Sequence, residues 1–182
     1  MYCWKSINLS KDFGLFRMYT ISCFISILAF ILMYVPTSIF HGLHHVNEYA
    51  LLGLLLALYL LPTIHTAAHI LSLIFFKKRV KVTYSSKSKV IPAFSYMPYQ
   101  CLPKGISIVV ALAPTLFITV PAIVAIYLYS SAYIHILLFT SIHLGYSFYD
   151  FLYISHIVKA PKCAFVDHNN SALNFDILLK KN

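Results

Sequence analysis

The sequence predicts an all-α membrane protein, four transmembrane helices in one integral domain over residues 1–182, with small β-hairpins on one side of the bilayer. Three observations carry that expectation. Of the 182 residues, 60% are apolar and 10% charged, against roughly 25% charged in soluble chains, and the mean hydropathy is +0.78. Four apolar runs reach the roughly 18 residues that crossing hydrocarbon demands. The basic residues fall, without exception, into alternate segments between those runs. An ordinary soluble globule is excluded.

The first span, Met18 to Val35, follows Lys5, Lys11 and Arg17. That charge pattern resembles a secretory leader, but Tyr34-Val35-Pro36-Thr37-Ser38 offers no small-x-small cleavage site, so the helix is expected to remain as an anchor. Met1-Tyr2-Cys3-Trp4 carries no acylation signal. Tyr49 to Phe76, Ile106 to Tyr129 and Ala132 to Ile157 are the other three spans. In the loop 77–105, Arg79 to Tyr84 alternates polar and apolar residues, Ser85 to Ser88 supplies a turn, and Lys89-Val90-Ile91 resumes the pattern, which predicts a hairpin. The tail 158–182 repeats the idea, with Ala164-Phe165-Val166, a turn at Asp167 to Asn170, and Asn174 to Ile177.

Fourteen Lys and Arg set the orientation. Three precede the first span, seven lie between the second and third, four follow the fourth, and the two remaining loops have none. Basic residues resist translocation, so both termini and the loop 77–105 are expected in the cytoplasm. The formal charge of +9 is then a consequence of insertion, and the partner it implies is the lipid bilayer and no nucleic acid. Cys3, Cys101 and Cys163 face the reducing side and Cys23 lies within the first span, so no disulfide is expected.

Ionisable groups inside a span are costly and are functional candidates by default. Four cannot escape to an interface: His65, His69, His143 and Asp150. His65 and His69 are four residues apart, hence on one helical face, and two imidazoles at that spacing can grip one zinc ion if a third ligand comes from elsewhere. Asp150 is the expected third ligand. It lies eighteen residues into its span and His65 sixteen into a parallel one, a depth difference of roughly 3 Å, and a buried carboxylate wants a cationic partner. A metal-free network, the histidines bonded to backbone carbonyls, to each other or to Asp150, is the other reading of the same residues. His143, two turns from Asp150 on the same face, is either an outer partner of a metal ligand or a packed core histidine. His41, His44 and His45 are read as interfacial loop residues, with a pH sensor or weak metal site as the sharper alternative.

The His-x-x-x-His helix, the basic hairpin loop, Leu112-Ala113-Pro114 in the third span, Gly145-Tyr146-Ser147-Phe148-Tyr149-Asp150 in the fourth, and the ending Lys159-Ala160-Pro161-Lys162-Cys163-Ala164-Phe165-Val166-Asp167 together resemble the putative zincin peptidase family of small bacterial membrane proteins. Those proteins look like minimal relatives of site-2 intramembrane metalloproteases. The resemblance covers roughly residues 49–177. It implies zinc ligands at His65, His69 and Asp150 and a bacterial plasma membrane. It also exposes a departure, because the family's motif is His-Glu-x-x-His and this chain has His65-Thr66-Ala67-Ala68-His69. The absent glutamate is the general base, and a threonine hydroxyl is far too weak a base to replace it.

No other carboxylate stands near. Glu48 precedes His65 by seventeen residues, about 25 Å of helix, and Asp12, Asp167 and Asp176 would need segments that fold back. The expectation is a non-catalytic or weakly active relative, a pseudoenzyme, that binds metal, a membrane peptide or protein partner, or both. The alternatives are an active metalloprotease with an unusual base and, from another class, a haem- or ion-binding four-helix bundle. In the haem reading, His65 or His69 would have to face His143 at one depth, yet counting from their span starts separates His65 from His143 by about 8 Å.

Overall fold

The computed structural model describes residues 2–42, 49–85, 93–171 and 174–179. It is mostly helical, with two small antiparallel sheets. Strand β1 (Tyr2–Asn8) leads through a π-helical turn at Ser10–Gly14 into α1 (Leu15–His41); α2 (Ala50–Phe75) follows. Strands β2 (Val80–Ser85), β3 (Ala93–Pro98) and β4 (Leu102–Pro103) precede α3 (Lys104–Pro114), which runs through a π-helical segment, Thr115–Thr119, into α4 (Val120–Leu128). Helices α5 (Tyr133–Tyr146) and α6 (Phe148–Val158) and strands β5 (Ala164–Ser171) and β6 (Asn174–Leu179) complete the chain.

Three helices are long and apolar enough to cross a membrane: Lys11–His41, Ala50–Phe75 and Lys104–Leu128. They correspond to the first three predicted spans, the first being longer at both ends than Met18 to Val35. Their outer faces carry Phe16, Phe24, Leu52, Phe75 and Leu128 in the open. An apolar surface this large suits lipid and would be an aggregation hazard in water.

The fourth predicted span is not one helix. The run from Ala132 to Ile157 breaks at Ser147, where α5 ends and α6 begins. Just before the break, α1 approaches too closely for a side chain at Gly145. Ser22 Oγ donates to the Gly145 carbonyl at 2.5 Å, and a Cβ at Gly145 would overlap Ser26 Oγ and the Ser22 carbonyl. Gly145→Ala is therefore expected to push α1 away and to destabilise the protein by about 1–3 kcal/mol, read as a lower melting temperature in detergent. Gly53→Ala, where nothing lies within 4 Å of the new methyl, should be neutral or slightly stabilising. Equal effects at the two positions would refute the close-approach account.

The sheets differ from the sequence expectation in register and extent. Strand β2 pairs with β3, Val82 opposite Tyr96 and Tyr84 opposite Phe94, so the second strand lies beyond the predicted Lys89-Val90-Ile91. That tripeptide and Ser86 to Ser88 of the predicted turn are outside the described residues. Burial chooses the register: Tyr96 packs on the cluster of Leu73, Leu102 and Val110 contributed by α2, β4 and α3. In the tail, β5 continues to Ser171 through the predicted turn at Asp167 to Asn170, with Val166 opposite Ile177 and Asp167 opposite Asp176.

Strand β1, which the sequence pattern does not announce, joins the tail to give the order β1-β6-β5-β4. Ile7, Val166, Phe175 and Ile177 bury against Tyr153, Ile157 and Ala160 at the end of α6, and the Tyr153 and Phe175 rings meet edge to face at 4.7 Å. Lys104 fixes the same end, donating from Nζ to the carbonyls of Val158 (2.9 Å) and Ala160 (2.6 Å), where the negative end of α6 favours a cation. At the opposite end of the bundle His41 is no loop residue. It is the buried last residue of α1, donating from Nε2 to the Ile126 carbonyl at 2.8 Å and stacking on Tyr133. His44, His45 and Glu48 lie outside the described residues.

Candidate metal centre

Helix α2 is mostly apolar, and its two histidines reach buried positions by facing the other helices. His65 and His69 are 6% and 4% exposed, with ring centroids 4.9 Å apart. The break at Ser147 sets Asp150 in the first turn of α6. From there its carboxylate meets both imidazoles: Oδ2 lies 3.0 Å from His65 Nε2 and Oδ1 lies 3.4 Å from His69 Nε2. The three predicted ligands are thus brought together, and one ligand atom from each lies within 4.8 Å of the others.

The remaining ring nitrogens are anchored. His69 Nδ1 donates to the Val110 carbonyl at 2.8 Å. His65 Nδ1 lies 3.2 Å from His143 Nε2, and His143 Nδ1 lies 2.8 Å from Thr119 Oγ1. One set of tautomers satisfies the whole chain: His69 donates to the carbonyl, His65 donates to His143, and His143 donates to Thr119. Both Nε2 atoms then hold lone pairs, and they face each other at 3.3 Å. Two lone pairs and a carboxylate converging in a buried space repel unless a cation or a proton stands between them. Asp150 Oδ2 is itself buried without a well-aligned hydrogen bond, despite its nearness to His65. Two imidazole nitrogens and a carboxylate, each imidazole steadied by a second bond, form a donor set that would suit zinc.

His143 is fully buried and bridges His65 to Thr119. The separation of about 8 Å expected from counting along the spans is wrong. Helix α2, at 26 residues, is about 39 Å long and exceeds a hydrocarbon core of roughly 30 Å, so its first residues do not mark the depth at which α5 begins. A haem held between His65 and His143 fails for a different reason. His143 and His65 are in direct hydrogen-bond contact, which leaves no space for a macrocycle between them.

The structure adds residues that the sequence reading missed. The Tyr96 ring lies 5.1 Å from that of His69, brought by β3 over the sheet-side end of the cluster. Burial first, and then the Asp150 charge, push its hydroxyl well above the ordinary tyrosine pKa, so it stays protonated. The Tyr146 ring meets His65 edge to face at 4.8 Å, and Thr119 lies on a π-helical turn of the kind often found at functional sites. Tyr146, one turn before Asp150, was visible within the Gly145–Asp150 motif; Tyr96 and Thr119 carry no local signal. Asp12, Asp167 and Asp176 stay on the sheet side and do not join the described cluster.

No curated protein and no solved structure matches the chain. A sequence model of one family does, across residues 58–165, from the middle of α2 to the start of β5. That stretch is more than half of the chain and contains both histidines, Asp150, His143, Thr119 and Tyr96. The protein belongs to the putative zincin peptidase family.

Proposed function

We propose that the protein holds one zinc ion with His65, His69 and Asp150 inside a four-span membrane bundle, and that it engages a membrane peptide or protein partner with peptide hydrolysis lost or much weakened. The single observation that supports this reading best is the meeting of His65 Nε2, His69 Nε2 and the Asp150 carboxylate in a buried space, with no competing hydrogen bond to the converging atoms from outside the trio among the described residues. Zinc at such a site supplies Lewis-acid polarisation of a carbonyl or of water. The chain's own residues orient the ligands: Val110 holds the His69 ring, and His143, backed by Thr119, holds the His65 ring. Thr66 occupies the position of the family's glutamate, so the proton-accepting group is missing where the chemistry needs it.

In this reading α5 and α6 together make the fourth crossing. The sorting of Lys and Arg supports a cytoplasmic position for both termini and the loop 77–105, and the resemblance to small bacterial membrane proteins supports a bacterial plasma membrane. The β2–β3 hairpin, which lies beside the cluster through Tyr96, has the form that accepts an extended segment by strand addition. Elemental analysis of protein purified in detergent without chelators is expected to give close to one zinc per chain. Metal well below stoichiometry, unrestored by dialysis against zinc, would overturn the metal assignment and leave a histidine–aspartate network sharing protons.

A further inference from the structure

A second site is built along α2 toward its sheet-side end, on a face that neither His65 nor His69 lines. An open groove of about 480 Å³ runs between α2 and the third span, lined by Leu71, Ile74 and Phe75 on one side and Val109, Leu116 and Phe117 on the other. A second apolar hollow shares Leu71, Ile74 and Phe117 and continues along α2 to Ile64. Together they follow α2 over the twelve residues from Ile64 to Phe75, about 16 Å, and each has the volume of an ordinary ligand pocket. At the open end α2 stops in a Schellman turn: Lys78 N–H bonds the Leu73 carbonyl and Lys77 N–H the Ile74 carbonyl. Lys77 takes the left-handed φ of 54° there, a position where glycine is free of strain and a side chain is not.

Lys77, Lys78 and Arg79 therefore follow directly on Phe75 and Phe76 at the groove mouth. None of the three makes an ion pair among the described residues, and residues 77–105 contain no Asp or Glu at all. Three unpaired cations beside an apolar groove at the edge of a membrane-crossing helix match one ligand chemistry, an anionic head on a long apolar chain. We infer that this groove is a binding site for an anionic phospholipid, its phosphate at Lys77, Lys78 and Arg79 and one acyl chain along α2. The site uses no metal ligand and stands or falls independently of the zinc proposal.

The test reconstitutes the full chain in phosphatidylcholine vesicles carrying trace spin-labelled phosphatidylglycerol or spin-labelled phosphatidylcholine, and reads the motionally restricted fraction by electron paramagnetic resonance. At low ionic strength the native protein is expected to prefer the phosphatidylglycerol label by threefold or more, the preference shrinking with salt. The triple variant Lys77→Gln, Lys78→Gln, Arg79→Gln should bring the ratio close to one. Val109→Trp, which fills the groove, should lower the restricted fraction without altering the far-ultraviolet circular dichroism. Lys159→Gln with Lys162→Gln, distant in sequence from the groove, should keep the preference. Equal restriction of the two labels by native protein, a preference that survives the triple variant, one lost equally in the Lys159/Lys162 control, or one indifferent to groove filling would each overturn the site.

Discussion

Replacing Asp150 by asparagine is expected to strip the protein of zinc while leaving it folded. The side chain keeps its volume, but the centre loses its only anionic ligand and gains an N–H group that can donate to an imidazole lone pair. Affinity should fall by more than the roughly 10- to 100-fold typical of losing an outer hydrogen-bond partner of a ligand. The effect reaches stability by mass action: a ligand at one hundred times its dissociation constant stabilises the folded state by about 2.7 kcal/mol, several degrees in melting temperature for a chain of this size. Native protein should thus lose several degrees on adding EDTA, and Asp150→Asn should lose none. His143→Ala is expected to act in the same direction but more weakly, because it removes the acceptor that fixes the His65 ring. His143→Gln, whose amide oxygen can accept the same bond, should recover much of that loss. A native melting curve indifferent to EDTA would mean that protons, and not a metal, hold the three side chains together.

The difference between what was legible in the sequence and what was not follows from the range of the interactions. Helices α1 and α2 and the third span announce themselves through composition alone, because lipid selects apolar residues at every position of a span. His65, His69 and Asp150 were legible for the converse reason, as the polar residues such a span should not contain. Pairing across the chain left no such mark. Strand β1 forms only because β6 offers it an edge, and nothing local in Tyr2-Cys3-Trp4-Lys5-Ser6-Ile7-Asn8 says so. The close approach of α1 at Gly145 is likewise a property of two segments 123 residues apart. The His65–His143 contact was hidden by a false ruler: residue counts from helix starts measure depth only if the helices begin level and run parallel.

Thr66→Glu is the substitution with the most to reveal about catalysis. It restores the sequence His-Glu-x-x-His on α2 between ligands that the fold already brings together. A positioned general base contributes about 10²- to 10⁴-fold, so cleavage of membrane-embedded fluorogenic peptides should rise by that order over native protein. Thr66→Gln, of nearly the same shape and unable to accept the proton, should give no gain. Thr66 is half-buried, and an added carboxylate there carries a desolvation cost, so zinc content and melting temperature need to be read on the same samples. A gain confined to the glutamate variant would locate the loss of activity at residue 66 and show the rest of the peptidase scaffold to be intact. A folded, zinc-loaded Thr66→Glu protein without activity would move the defect elsewhere, to substrate access or to the environment of the metal. Native protein that already hydrolyses peptide as fast as the variant would overturn the weakened-catalysis reading, and a proton acceptor would then have to be sought in a partner chain.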